Sequence, residues 1–155
     1  MQGFVGYSTS HSAVIVAFRG SSNIKNWIDD FDAAQVNYPK CSGCVVHHGF
    51  YAGYNTISAA VKSQVQLIIS KYRNAPIYVT GHSLGGALAV VASLDLCSTF
   101  SNVNKLYTFG QPRVGNAAFA SYTDSQMSDS FRVIHYADIV THLPPSNLNF
   151  KHHNY

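Results

Sequence analysis

The segment from Pro76 to Leu96 constrains the fold more than any other part of the chain. It opens with a β-branched and aromatic run, continues as Gly81-His82-Ser83-Leu84-Gly85, and ends in small apolar residues at helical spacing. This order predicts a β-strand, a tight turn and an α-helix. A Cβ two positions before or after Ser83 would strike the opposite limb of the turn, which explains the glycines. The sequence therefore predicts that Ser83 stands at a strained corner with an exposed hydroxyl.

A serine in the pattern G-x-S-x-G between a strand and a helix is typical of nucleophilic catalysis. The backbone N–H of Leu84 and its successors would point into the space above Ser83, where the helix dipole adds its positive end. Such a place stabilises an oxyanion. By itself the motif also fits a glycine-rich loop without a catalytic role. Whether Ser83 is catalytic therefore depends on finding a base and an acid elsewhere in the chain.

Composition narrows the class of protein. The chain has 155 residues, which predicts a single domain over 1–155, and its 46% apolar content excludes disorder. Charged residues make up only 11%, and a net charge of +3 without a basic cluster gives no support for nucleic-acid binding. No apolar run approaches the roughly 18 residues of a membrane span, and no signal peptide is visible. The chain contains no Glu, so a catalytic carboxylate must be one of seven aspartates.

Strand-like and helix-like segments alternate along the chain. This alternation predicts an α/β fold with a mostly parallel central sheet and helices on both faces, opened by an antiparallel hairpin. The segment 31–44 carries no such pattern and is predicted to be irregular. The predicted hairpin strands are 4–8 and 13–18, the later strands are 77–80, 103–109 and 130–136, and the main helices are 57–72 and 84–96.

An activated serine needs a histidine base and a carboxylate that orients it. In the α/β-hydrolase arrangement the acid follows the serine along the chain, which removes the three aspartates before Ser83. Asp95 lies on the helix after the serine, and Asp124 and Asp129 lie in a polar loop. Asp138 alone comes directly after a predicted strand, at the sheet edge where ligands bind. It is therefore the predicted acid.

The base is harder to find, because three histidines follow Asp138. His142 comes four residues later and is predicted to be a surface or packing residue. His152 and His153 lie in the last four positions, and His153 is the candidate within the chain.

Several motifs occur together and in a fixed order. The motifs are FRGS followed by Asn26-Trp27, Cys41-Ser42-Gly43-Cys44, His48-Gly49-Phe50, Gly81 to Gly86, Phe109 to Asn116, and Asp138-Ile139-Val140 through Leu143-Pro144-Pro145. With these motifs the chain resembles the fungal-type (class 3) lipases, nearly from end to end.

The resemblance implies an α/β-hydrolase fold and a carboxylic-ester hydrolase that works through an acyl-enzyme. It implies Ser83 as nucleophile, Asp138 as acid, and Ser21 as a second oxyanion donor beside the N–H of Leu84. It implies neither a metal nor another cofactor. The expected partner is an ester lipid.

The segment 23–30 falls where the family carries its lid. Its Ile24, Trp27 and Ile28 share one face of a short helix, so this face could close over an apolar cleft and open onto a lipid–water interface. An ordinary core-packing helix is the alternative.

The chain also departs from the family, which has a region before the first hairpin and carries its catalytic histidine well downstream of Leu-Pro-Pro. The chain is therefore expected to be a core fragment whose base lies beyond Tyr155, with little or no turnover of its own. Otherwise His153 has taken the role. The alternative function is a catalytically inactive lipase-like domain that binds lipids or another protein.

The pair Cys41-x-x-Cys44 fits a redox dithiol, a zinc site with His47 or His48, or a disulfide. The resemblance favours the disulfide. A disulfide implies an oxidising compartment, and with the family resemblance it predicts a secreted or lumenal protein. Cys97 is then a single thiol.

Overall fold

The structure is a computed structural model that describes residues 1–23 and 32–153, and its centre is a five-stranded sheet. The outer pair is antiparallel, and the other three pairings are parallel. This mostly parallel sheet, opened by a hairpin, confirms the predicted fold class. In spatial order the strands are β1 (Gly3–Ser8), β2 (Ala13–Phe18), β5 (Ile77–His82), β6 (Val103–Phe109) and β7 (Ser130–Val133).

A second sheet pairs β3 (Gln35–Asn37) with β4 (Val45–His47). The prediction that 31–44 is irregular is therefore wrong at β3, because a strand of three residues is too short to show a periodic pattern. The turn between the two strands is closed by a disulfide from Cys41 to Cys44, with Cα atoms 5.3 Å apart. The disulfide is confirmed, and because the two sulfurs are bonded to each other, neither is available as a zinc ligand.

The described residues form four α-helices: α1 (His48–Asn55), α2 (Ser58–Lys71), α3 (Leu84–Cys97) and α4 (Ala117–Gln126). α3 lies between the large sheet and helices α1 and α4, and eleven of its residues are buried. A helix covered on all sides must be apolar almost all round, as this one is. Its Asp95 is half-buried and accepts hydrogen bonds from Lys40, Lys62 and the Tyr54 hydroxyl.

Side chains alternate between the two faces of the large sheet, and the faces differ sharply in burial. The face towards α2 and α3 carries fully buried Val14, Val16, Ile77, Val79 and Leu106. The opposite face carries Phe4 and Phe131, which are 63% and 41% exposed. In the part of the chain that is described, the helices that contact this sheet lie on one face, so the expected cover on the other face is not found there.

The predicted lid helix, with Ile24, Trp27 and Ile28, lies outside the described residues. Among the helices that are described, none has the length and apolar content that crossing a membrane requires.

Candidate active site

Ser83 occupies the corner between β5 and α3 with φ 55° and ψ −126°. Residues other than glycine adopt this region rarely and at a cost of about 1–3 kcal/mol, so the predicted strain is present. A Cβ on Gly81 would overlap the carbonyl of Gly85, as predicted for the opposite limb of the turn. A Cβ on Gly85 would instead overlap the carbonyl of Phe18, so Gly85 is required by the neighbouring strand β2.

The expectation of an exposed hydroxyl is wrong, because Ser83 is only 1% exposed. The chain leaving β2 crosses the corner: a Cβ on Gly20 would lie 2.7 Å from the His82 carbonyl oxygen and 3.4 Å from Ser83 Cβ. Within residues 1–23 and 32–153, Ser83 Oγ has no hydrogen-bond partner. A buried hydroxyl left unpaired costs about 1–3 kcal/mol. The unpaired hydroxyl and the strained backbone of Ser83 both lower stability, so a functional role is the better explanation for them.

The predicted oxyanion donors lie beside this corner. Leu84 is the first residue of α3, so its N–H has no acceptor within the helix, and the helix dipole adds partial positive charge. Ser21 and Leu84 line one cleft of about 250 Å³ together with Gly20. The Ser21 hydroxyl donates to the Asn23 carbonyl at 3.1 Å, so this side chain is engaged within its own turn.

Asp138 begins a 3₁₀ turn, Ile139–His142, that follows β7 after a short loop. Its Oδ1 accepts a hydrogen bond from the Val140 N–H at 3.0 Å. Its Oδ2 lies over Gly110, where an added Cβ would come within 2.6 Å of this oxygen. The carbonyl of Phe109, the residue before Gly110, accepts a hydrogen bond from the Ser83 N–H. The structure therefore brings the carboxyl group and the serine corner to the same edge of the sheet.

The tail histidines lie close to the turn after Asp138. His152 Nε2 donates to the Thr141 carbonyl at 2.8 Å, and burial lowers the pKa of His152 to about 4. His153 is 3% exposed, and burial, with Arg132 and His152 nearby, lowers its pKa to about 3. Neither Ser83 Oγ nor His153 Nε2 has a partner in the described part of the chain, so these two atoms are not hydrogen-bonded to each other.

Sequence reasoning did not single out two residues at this edge. Gly110 has φ +54° and leaves room for the Asp138 carboxyl, and the Arg113 side chain reaches the chain that follows Asp138. Both lie in the motif Phe109 to Asn116, directly after β6. Their position after a parallel strand is the signal that could have identified them.

Comparison with known proteins agrees with this geometry. Over 152 residues the chain is 40% identical to a lipase from Rhizomucor miehei, covering 96% of this chain and 42% of that protein. It is 34% identical over 150 residues to the secreted mono- and diacylglycerol lipase A of Penicillium cyclopium, covering 97% and 49%. A solved triacylglycerol lipase, whose catalytic centre is described as a serine protease triad, matches with a TM-score of 0.91 at 41% identity.

That structure is matched over 97% of this chain and 58% of its own, so the chain spans about half the length of the relatives it matches. The family model for class 3 lipases matches residues 15–148, which include the strained serine corner and the Asp138 turn. This chain belongs to the class 3 lipase family.

Proposed function

We propose that this chain is the catalytic core of a carboxylic-ester hydrolase that acts on acylglycerols or related ester lipids. The observation that carries the proposal is Ser83 itself, held in a strained conformation at the start of α3, with a hydroxyl that has no hydrogen-bond partner among the described residues. Two relatives are lipases, which supports ester lipids as the substrate class.

In this mechanism Ser83 Oγ attacks the ester carbonyl carbon while its proton passes to a histidine. The carbonyl oxygen becomes an oxyanion that accepts a hydrogen bond from the Leu84 N–H. The Ser21 hydroxyl supplies a second hydrogen bond once it turns away from the Asn23 carbonyl. The histidine then protonates the departing alcohol. Water, deprotonated by the same histidine, releases the acid from the acyl-enzyme, and Asp138 orients the imidazole throughout.

The base in this proposal is a histidine outside the described residues. Two observations support it: Ser83 Oγ has no partner among the described residues, and the buried ring of His152 is engaged with the carbonyl of Thr141. The solved relative with a serine protease triad supports a third member of the site.

The segment 23–30 is proposed as a lid whose apolar face, with Ile24, Trp27 and Ile28, covers the cleft in water and meets lipid when open. The apolar spacing of these residues supports this role. A secreted or lumenal location is proposed as well. It is supported by the disulfide and by a secreted relative.

Hydrolysis of p-nitrophenyl butyrate tests the function, with the 155-residue chain and the full-length product of its gene assayed side by side. We expect activity in the full-length protein, little or none in the 155-residue chain, and loss of activity in Ser83→Ala. Asp138→Asn should lower kcat by roughly 10⁴-fold, because the imidazole loses its orienting carboxylate.

Two other outcomes decide against parts of the proposal. If the 155-residue chain is active, and both Ser83→Ala and His153→Ala abolish that activity, then the tail histidine is the base. If the full-length protein hydrolyses no ester but still binds phospholipid vesicles, the chain is an inactive lipid-binding domain.

A further inference from the structure

The turn that carries Asp138 is held together only in part by its own hydrogen bonds. The Asp138 carboxyl accepts from Val140 N–H, and the Thr141 hydroxyl donates to the Asp138 carbonyl at 2.8 Å. These bonds shape the turn but do not fix its position relative to the sheet. Most of the neighbouring loop is exposed, including Tyr136 at 94% and Ile139 at 58%.

Besides the bond from His152 to Thr141, Arg113 attaches the end of this turn to the chain after β6. Its backbone N–H donates to the Leu143 carbonyl at 2.7 Å. Its Nη1 donates to the carbonyls on either side, those of His142 and Pro144. One residue thus holds three consecutive carbonyls, beginning with the last residue of the turn. The bonds from the guanidinium are charge-assisted, which makes them stronger than neutral ones.

The chain directly after Arg113 is itself anchored at two residues. The Val114 carbonyl accepts from the His47 N–H at the end of β4, and the Gly115 carbonyl accepts from the Lys151 N–H. Val114 is 2% exposed, so this segment lies in the core. Through Arg113, the Asp138 turn is therefore hydrogen-bonded to a segment that is fixed in the core.

The carboxyl group has little freedom where it lies. Its Oδ2 sits over Gly110, in a space that a single methyl group would fill. A shift of about 1 Å in a catalytic group can cost up to about 100-fold in rate. The position of the turn along the sheet edge therefore decides whether the carboxyl meets its partner.

We propose that Arg113 is a positioning residue for the Asp138 carboxyl, acting through the carbonyls of residues 142–144. This inference rests on the proposed function, because it assumes that Asp138 orients a catalytic base. In this inference Arg113 affects kcat and leaves substrate binding unchanged.

The first arm of the test needs no catalysis and uses amide hydrogen exchange of the 155-residue chain. The Val140 N–H reports on Asp138, because it donates to Oδ1. Arg113→Met keeps the aliphatic stem and removes the side-chain donors, and we expect exchange at Val140 to become at least about tenfold faster. Arg113→Lys, which keeps one charged donor, should lie between this variant and the wild type. The matched control is Arg73→Met, at an exposed arginine after α2, which should leave Val140 unchanged.

The second arm uses ester hydrolysis by the full-length protein, normalised to the folded fraction. Arg113→Met should lower kcat by about 10- to 100-fold with KM nearly unchanged, and Arg113→Lys should restore part of the loss. A displaced carboxylate stabilises the imidazolium less, so the acid limb of the pH profile should move to lower pH.

The outcomes separate the two proposals. If Arg113→Met lowers the melting temperature while Val140 exchange and kcat stay at the wild-type level, Arg113 is purely structural and the inference is overturned. If Arg113→Met does not fold, Arg113→Lys decides between the same two results. If the wild type has no esterase activity but Val140 responds as expected, the proposed function fails while the attachment of the Asp138 turn through Arg113 stands.

Discussion

Two features of Ser83 that suit the proposed chemistry lower the stability of the fold. Its backbone lies in a region that suits glycine, and its buried hydroxyl is unpaired among the described residues. Both features cost free energy, and neither improves packing. Both features fit the nucleophile that we propose, since a hydroxyl already bonded elsewhere would first have to break that bond.

The strain at Ser83 can be measured with two substitutions. Ser83→Ala removes the hydroxyl and keeps the Cβ, whereas Ser83→Gly removes both and accepts φ 55° without strain. We expect Ser83→Gly to be more stable than Ser83→Ala by about 1 kcal/mol, the strain relieved being partly offset by the entropy of glycine in the unfolded chain. Urea unfolding of the two variants gives the difference. Equal stability would mean that the corner is not strained by its side chain.

At the scale of elements, Asn116 joins helix α4 to the smaller sheet. Its Oδ1 accepts from the Phe119 N–H as the helix cap and from the Val45 N–H of β4, while Nδ2 donates to the Gly43 carbonyl. One side chain thus satisfies three backbone groups, one on α4, one on β4 and one in the turn before β4.

Asn116→Ala should therefore lower the free energy of unfolding by about 2–3 kcal/mol, because it removes a cap and leaves Val45 N–H unpaired. Asn116→Asp keeps both acceptor bonds and should cost about 1 kcal/mol. Chemical denaturation measures both, with exposed Asn104→Ala as a control expected within about 0.5 kcal/mol of wild type. A loss in Asn116→Ala no larger than in this control would contradict the joining role.

The tail beside the Asp138 turn makes stability depend on pH. The pKa of His152 is lowered to about 4 and that of His153 to about 3, mainly by burial, whereas unfolded histidine titrates near 6.5. As pH falls below 6.5 the unfolded chain therefore binds protons that the native state does not, and stability decreases towards acid.

Between about pH 6.5 and 5, where few carboxylates titrate, each histidine should contribute a slope approaching about 1.4 kcal/mol per pH unit. Urea unfolding at several pH values measures the slope. The double variant His152→Gln with His153→Gln should flatten it, and an unchanged slope would show that the two rings are not held neutral.

At the scale of the whole molecule, the large sheet is covered unevenly. Its second face presents Phe4, Phe131 and Val133, which are 63%, 41% and 45% exposed, and Tyr107 stacks on Phe131 with ring centroids 4.6 Å apart. Apolar side chains exposed on a sheet face bind hydrophobic molecules.

The native 155-residue chain should therefore bind a hydrophobic fluorescent dye at neutral pH. The double variant Phe4→Ser with Phe131→Thr should reduce the fluorescence several-fold. Leu67→Ser, at a 59% exposed leucine on α2, is the matched control and should leave it unchanged. Equal dye binding in all three proteins would mean that the dye reports on another surface.

Local features of the chain were accessible from the sequence. The strained serine corner follows from glycine spacing, the hairpin from two short β-prone runs, and the sheet-edge position of Asp138 from its place after a strand. Each depends on backbone sterics or periodicity within a few neighbouring residues, which the sequence states directly.

Contacts between distant residues were decided by the tertiary structure alone. Ser83 is buried because Gly20 crosses over it, Gly85 is required by the carbonyl of Phe18, and Arg113 reaches the carbonyls that follow Asp138. Sequence patterns report which face of an element is apolar. They do not report which other element meets that face, since this depends on how the whole chain packs.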